Sequence, residues 1–161
     1  MRKVLSGAIL LFIATASFAA DSYVSWNRIV GVITAPGVPN PVAGIAAGGV
    51  PWSAAAGSAV VDLTNGDIAF SVTGLVLVGG NSAGTPGAVT TVKGTLVCSP
   101  GTATQTVIDT ATVPLTPEGN ASFKGTLATA PPSSCDTPLF LIRAAAANVW
   151  IATGAVRTTS P

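Results

Sequence analysis

The stretch that most constrains the fold is residues 57–78, because its turn residues and its hydrophobic alternation predict the same β-hairpin. Asn65-Gly66 is the dipeptide favoured in a type I′ turn, whose two central residues both need a positive φ. With these residues at the centre of the turn, apolar side chains from the two strands face one another on one side of the sheet. The predicted pairs are Leu63 with Ile68, Val61 with Phe70 and Ala59 with Val72.

The first residues have the order of a secretory signal peptide. Two basic residues precede an apolar run over residues 4–16, and small residues follow it. Cleavage after Ala19 places Ser17 and Ala19 at the two positions that require small side chains. A transmembrane anchor is the alternative, but it needs about 20 apolar residues and this run is shorter. We therefore expect residues 1–19 to be a cleaved signal peptide and the protein to be secreted, periplasmic or on the cell surface.

The mature chain has the size of one domain and carries almost no net charge. Removing residues 1–19 from the 161 leaves 142, which suits a single domain over residues 20–161 with no integral membrane segment. Five basic residues then stand against six acidic ones, a formal charge of −1, so nothing in the composition attracts nucleic acid or an anionic membrane. Charged residues make up 8% of the chain, about a third of the usual fraction. Such a surface suits an extracellular protein or one that packs against a partner.

The distribution of glycine and proline predicts an all-β fold. The chain contains 18 glycines and 12 prolines, which interrupt it too often for long helices, and no segment has the periodicity of an amphipathic helix. Runs of alternating hydrophobicity separated by turn residues predict about eight or nine strands. Apart from the hairpin, they lie at residues 23–34, 88–98, 104–110, 121–127, 139–143 and 149–157. We predict a two-sheet β-sandwich of the immunoglobulin-like or a related Greek-key type, with a flattened β-barrel as the alternative.

Two of these strands contain charged side chains whose placement is informative. Strand 23–34 puts Arg28 in an otherwise apolar row, where it either extends to the sheet margin or pairs with an acid. That row consists of Val24, Trp26, Arg28, Val30 and Val32. Strand 88–98 places Val92, Leu96 and Cys98 on the inner face and Thr91, Lys93 and Thr95 on the other. We expect Lys93 and Lys124 to be solvated and to discourage edge-to-edge pairing of sheets.

The connection over residues 35–55 is long for a compact domain and contains four prolines and four glycines. Long loops often carry function, and we assign Trp52 in this loop a ligand-binding role. With Tyr23, Trp26 and Trp150, it would form a platform for stacking sugars if these rings are exposed. The alternative is that the connection packs over one end of the core with Trp52 as its anchor. For Trp26 and Trp150, core packing is the expected use, because the domain has few aromatic residues.

Cys98 and Cys135 are the only cysteines, and both lie in the exported part of the chain. In an oxidising compartment a single disulfide is the first expectation, and a pair of buried free thiols is the alternative. The bridge would close a loop of about 37 residues and stabilise the fold by about 2–4 kcal/mol.

The composition excludes several kinds of catalytic and metal site. The chain has no histidine, which removes Ser-His-Asp and Cys-His catalysis and histidine metal ligands. Asp62, Asn65 and Asp67 have some of the oxygen ligands of a calcium loop, but the hairpin turn already accounts for these residues. We therefore expect no catalytic residue, no metal and no cofactor. Asn120 begins a match to the N-glycosylation pattern.

Two segments resemble parts of exported bacterial proteins of uncharacterised activity. They are GTPGAVTTVKGTLVC at residues 84–98, a glycine-rich strand ending in cysteine, and FLIRAAAANVWIATGAVR at residues 140–157, a terminal pair of strands. The resemblance implies export, a β fold and a bridge between Cys98 and Cys135. It transfers no functional residue, because both segments form strands and contain no catalytic motif.

Export, the β pattern and the missing catalytic groups favour a non-enzymatic protein with a structural or binding role. The alternative is a carbohydrate-binding or adhesin-like module that uses the 35–55 loop and Trp52. A third hypothesis is self-assembly through sheet edges that carry little charge. The expected partner is an extracellular glycan or protein, and no nucleic acid.

Overall fold

The computed structural model describes residues 23–38 and 40–159, and within these ranges eleven segments form β-strands. Their bounds are β1 Tyr23–Gly31, β2 Trp52–Ser53, β3 Ala56–Asp62, β4 Asp67–Thr73, β5 Val76–Leu77, β6 Thr91–Cys98, β7 Thr106–Asp109, β8 Val113–Pro114, β9 Ala121–Thr126, β10 Leu139–Ala144 and β11 Val149–Thr159. None of the described residues belongs to a helix long and apolar enough to cross a membrane. The all-β prediction is confirmed, whereas the predicted signal peptide at residues 1–19 lies outside the described residues.

Nine of the strands form one antiparallel sheet, in the order β7-β6-β10-β11-β1-β3-β4-β9, with β8 also paired to β6. β2 and β5 form a separate two-stranded sheet. The large sheet curls round the core: the ring of Phe70 on β4 lies 5.5 Å from that of Phe140 on β10, although three strands separate them in the sheet. The arrangement is that of a sandwich or half-barrel. The predicted immunoglobulin-like Greek-key topology is not confirmed, because one continuous sheet encloses the core.

The two ends of the curled sheet meet along a seam, with the β7–β8 segment on one side and β9 on the other. After β9, Ala128 N donates a hydrogen bond to Asp109 O of β7 at 2.9 Å. Before β9, Thr116 N donates to Asn120 O at 3.0 Å. Among the described residues, no backbone hydrogen bond crosses the seam between these two points. The seam is therefore joined at both ends and open in the middle.

The predicted hairpin forms between β3 and β4, but its register is shifted by two residues. Val61 pairs with Ile68 and Ala59 pairs with Phe70, in place of the predicted pairs of Val61 with Phe70 and Ala59 with Val72. A shift of two residues leaves every side chain on its original face, because side chains alternate with a period of two. Five of the six side chains predicted to share this face are buried, and the sixth, Leu63, is half-buried.

A turn capped by Asp62 explains the shifted register. Asp62 Oδ1 accepts the backbone N–H of Thr64 at 2.8 Å, and Asp62 O accepts that of Gly66 at 2.8 Å. Gly66 has a φ of 83°, but Asn65 does not adopt the positive φ that a type I′ turn also requires. Asn65 Oδ1 instead accepts the N–H of Asp67 at 2.7 Å. The predicted type I′ turn is wrong, because side-chain acceptors stabilise a longer turn here.

The apolar row predicted for the inner face of β1 is wrong at Arg28. Trp26 and Ile29 are 2% and 1% exposed, whereas Asn27 and Arg28 between them are exposed. Asn27 has no partner in the ladder to β11, and Val156 opposite it has a φ of 55°. This irregularity reverses the alternation along β1, so Ile29, and not Arg28, points into the core.

The aromatic centre of the core depends on two glycines. The ring of Trp26 lies 5.7 Å from that of Phe140, which also contacts Phe70. A Cβ at Gly154 on β11 would lie 2.5 Å from Trp26 Cγ, and a Cβ at Gly94 on β6 would lie 2.8 Å from a ring carbon of Phe70. Both distances are shorter than van der Waals contact, so only glycine fits beneath these rings.

The predicted disulfide between Cys98 and Cys135 is confirmed. It joins the buried end of β6 to the 131–138 loop, with the two Cα atoms 4.6 Å apart. Beside it, Ser99 N donates a hydrogen bond to Asp136 O at 2.9 Å. The bridge and this bond together attach a proline-rich loop to the core.

Candidate functional site

The long connection between β1 and β2 is a packed segment. Trp150 Nε1 on β11 donates a hydrogen bond to Asn40 O at 2.9 Å, and Gln105 Nε2 donates to Ala43 O at 3.0 Å. Residues 46–48 extend the sheet beside Trp150 through two further backbone bonds of 2.9 Å. The connection therefore packs against β11 and the turn between β6 and β7, in line with the alternative that it covers part of the core.

Trp52, the predicted ligand-binding residue, lies in the hydrophobic core. Its side chain is 4% exposed, and its backbone pairs with Leu77 in the small sheet. Trp26 and Trp150 are also buried, as expected, whereas Tyr23 is 44% exposed. The structure thus does not bring these four rings together on a surface. Ligand binding by Trp52 stays a prediction, and the burial of its indole counts against it.

A cluster of charged side chains lies on the sheet across β6, β7 and β10. The carboxylate of Asp109 accepts hydrogen bonds from Lys93 Nζ at 2.6 Å, Thr95 Oγ1 at 2.7 Å and Arg143 Nη1 at 3.1 Å. Arg143 Nη2 also donates to Asn148 O at 2.9 Å. Burial raises the pKa of Asp109, but the hydrogen bonds from Lys93 and Thr95 and the two neighbouring cations outweigh it and hold that pKa below its usual value of 3.8.

This cluster joins three strands and has poor properties for catalysis. A general base works best when its pKa lies near the working pH, and the pKa of Asp109 is shifted away from neutrality. Thr95 is fully buried, and the side chain of Lys93 is only 15% exposed. The expectation that Lys93 is solvated is therefore wrong, because β6 is covered on the face that carries it. We interpret the cluster as a structural link.

Sequence reasoning missed both Asp109 and Arg143. Arg143 lies in a short strand that is otherwise apolar, and a guanidinium in such a strand needs an acidic partner. That signal could have identified Arg143 as part of an ion pair. It could not have identified Asp109, because the choice among the acids depends on β6 lying between β7 and β10.

The acids of the hairpin turn have local partners. Asp62 Oδ1 and Asn65 Oδ1 accept backbone N–H groups of the turn, and Asn65 Nδ2 donates to Asp67 Oδ2 at 3.1 Å. In the part of the chain that the structure describes, no group of three or more His, Cys, Asp or Glu side chains is placed to hold a metal ion. The turn interpretation of these residues accounts for their positions.

One face of the sheet remains uncovered, on the outer side of β1, β3, β4 and β9. Ser58 on β3, Ser71 on β4 and Ser122 on β9 are direct cross-strand neighbours there, and all three are exposed. Within the described residues, their hydroxyl groups make no hydrogen bond. Depressions of about 260, 330 and 460 Å³ adjoin one another along this surface, which we call the open face.

Comparison of the chain with protein-family models, curated proteins and solved structures found no match. The proposals below therefore rest on the chemistry and geometry of the open face.

Proposed function

We propose that the protein is an exported, non-enzymatic β-protein that binds its partner or ligand through the open face. The observation that carries this proposal is the contrast between the two halves of the sheet. Over β6 and β10, Val97 and Leu141 are fully buried although Leu96 and Phe140 occupy the opposite face. Over β3, β4 and β9, the outer side chains include the exposed hydroxyls of Ser58, Ser71 and Ser122, which make no hydrogen bond within the described residues.

Export is supported by the order of the N-terminal residues and by the disulfide, which is compatible with an oxidising environment. The expected location is extracellular, periplasmic or on the cell surface. A non-enzymatic role is supported by the absence of histidine and by the structural use of Lys93, Asp109 and Arg143. A binding role is supported by an exposed sheet face whose hydrogen-bonding groups are unused.

Surface substitution tests this proposal. Residues 20–161 would be purified with the disulfide intact and incubated with insoluble polysaccharides and with cell envelopes of the producing organism. Ser71→Arg places a large charged side chain in the centre of the open face. Ser82→Arg makes the same change at an exposed position in the loop between β5 and β6. We expect co-sedimentation of the wild type and of Ser82→Arg, and its loss in Ser71→Arg.

Two results would contradict the proposal. One is equal co-sedimentation of the Ser71→Arg and Ser82→Arg variants. The other is multiple turnover by the purified wild type on ester, peptide or glycoside substrates, which would establish an enzyme.

A further inference from the structure

The middle of the seam presents unused backbone groups of β9. Leu127 N donates to Gly66 O at 2.9 Å, and residues of an antiparallel strand alternate between its two neighbours. The odd-numbered residues of β9 therefore bond to β4. Ser122, Lys124 and Thr126 direct their backbone N–H and C=O groups toward the seam instead.

The β8 side of the seam lacks the groups that would complete a ladder. Leu115 N donates to Thr90 O at 2.9 Å, so the same alternation turns Pro114 toward β9. Proline has no N–H to donate. Just before β8, the carbonyl of Ala111 already accepts a hydrogen bond from Thr110 Oγ1 at 2.8 Å. Pro114 therefore cannot donate a backbone hydrogen bond to β9, and β8 and β9 are not paired.

A depression of about 460 Å³ lies where the open face meets the β8 end of the seam, beside Thr116 and Asn120. We call it the seam pocket. Its polar lining residues are Ser71, Thr73, Thr116, Asn120 and Ser122, and no lining residue is charged. Pro114 supplies an apolar wall. The volume lies in the range of pockets that hold small ligands.

Several polar groups of the seam pocket are available to a ligand. Asn120 Oδ1 accepts the N–H of Gly74 at 3.1 Å, which orients the amide and leaves Nδ2 as a free donor. Thr116 Oγ1 accepts the N–H of Asn120 at 3.2 Å and donates its own O–H to the Glu118 carboxylate, so this hydroxyl is not a free donor. Within the described residues, the hydroxyls of Thr73 and Ser122 have no hydrogen bond and can both donate and accept.

We propose that the seam pocket binds a neutral polyhydroxylated ligand of monosaccharide size. Sugar hydroxyls match a lining of hydroxyl and amide groups, and the ring of Pro114 offers a surface for the C–H face of a sugar. An anionic ligand would lose hydration and find no counter-charge among the lining residues. Because no aromatic ring stacks on the ligand, we expect weak binding, with a Kd on the order of 1–10 mM. This proposal rests on the binding role proposed for the open face and names its ligand class.

Titration of the mature protein with methyl glycosides tests the proposal. Amide resonances of 15N-labelled residues 20–161 would be followed by NMR while methyl α-glucoside, methyl α-mannoside and methyl β-galactoside are added to about 100 mM. We expect saturable shifts centred on Thr73, Asn120 and Ser122 with at least one of the three. No saturable shift with any of them, or shifts centred elsewhere, would overturn the proposal.

Matched variants assign the binding to named groups. Asn120→Asp keeps an acceptor for Gly74 N and removes the Nδ2 donor, and Thr73→Val removes a hydroxyl while keeping the side-chain shape. We expect each to weaken binding about fivefold or more. Ser82→Ala, in the loop between β5 and β6 and outside both the open face and the seam pocket, is the control and should bind like the wild type. Wild-type affinity in both seam variants would overturn the proposal.

The outcome separates this proposal from the proposed function. If no glycoside binds while Ser71→Arg still abolishes co-sedimentation with envelopes, the sugar class is wrong and the open face remains the binding surface. If neither binding is seen, both proposals fail.

Discussion

Replacing Asp109 by Asn should reveal how much the charged cluster contributes to stability. The change keeps the size of the side chain but leaves Lys93 and Arg143 without a counter-charge. Exposed ion pairs contribute about 0–1 kcal/mol, and loss of one partner from a fully buried pair costs about 3–5 kcal/mol. The side chains of Lys93 and Arg143 are 15% and 11% exposed, but that of Asp109 is 30% exposed and therefore partly screened. We expect Asp109→Asn to lower the free energy of unfolding at pH 7 by about 2 kcal/mol.

The effect should depend on pH in one direction. The pKa of Asp109 in the folded protein lies below the usual 3.8, so its stabilisation is fully present above that value. The stabilisation is lost as pH falls through the folded-state pKa, because the carboxyl group becomes protonated and neutral. The difference between wild type and Asp109→Asn should therefore be largest at pH 7 and shrink steadily below pH 3.8.

Urea unfolding followed by tryptophan fluorescence, with the disulfide intact, measures this difference at each pH. Asp136→Asn is the matched control, because Asp136 is exposed and forms no salt bridge in the described structure. It should change the stability by less than about 0.5 kcal/mol. The reasoning is refuted if Asp109→Asn destabilises no more than Asp136→Asn, or if its effect is the same at pH 7 and at pH 3.

Three further substitutions test the packing of the fold, each by thermal and urea unfolding. Gly66→Val should lower the free energy of unfolding by more than about 1 kcal/mol, because Gly66 has a φ of 83° and a Cβ would lie 3.1 Å from a proline ring atom; Gly49→Val, with a negative φ and open space, should cost clearly less. Replacing Cys98 and Cys135 together by Ala should cost about 2–4 kcal/mol, and a smaller loss than in Gly66→Val would argue against an important bridge. Trp52→Ala should cost about 3–5 kcal/mol because its ring is buried, and an unchanged midpoint would show that the ring is not part of the core.

The hairpin shows which parts of a β fold its sequence specifies. Hydrophobic alternation correctly predicted the buried face of β3 and β4, because any register shift by two residues preserves that face. The register itself depended on whether Asn65-Gly66 would close a two-residue turn or Asp62 would cap a longer one. These alternatives differ by a few local hydrogen bonds, and the dipeptide preference alone selected the wrong one.

Contacts between strands that are far apart in the sequence could not be predicted from its hydrophobic pattern. The partners of Arg143 and the position of the seam depend on sheet order, and a continuous sheet in place of two stacked sheets changes which strands become neighbours. The disulfide was predictable because only two cysteines were available. The candidate site was not, since Thr73, Asn120 and Ser122 have no pattern in common until β4 and β9 pair.

The placement of the long connection explains why exposed hydroxyl groups collect on one side of the sheet. A sheet face covered by packed chain must be apolar or internally paired, as Val97, Leu141 and the Asp109 cluster are. The connection between β1 and β2 packs along β11 and reaches the β6–β7 turn through Gln105. It leaves β3, β4 and β9 uncovered, and their outer positions hold small hydroxyl side chains alongside the charged Asp67 and Lys124. Because Ser58, Ser71 and Ser122 make no hydrogen bond within the described residues, their hydroxyls are free to contact a partner, as the proposed binding role requires.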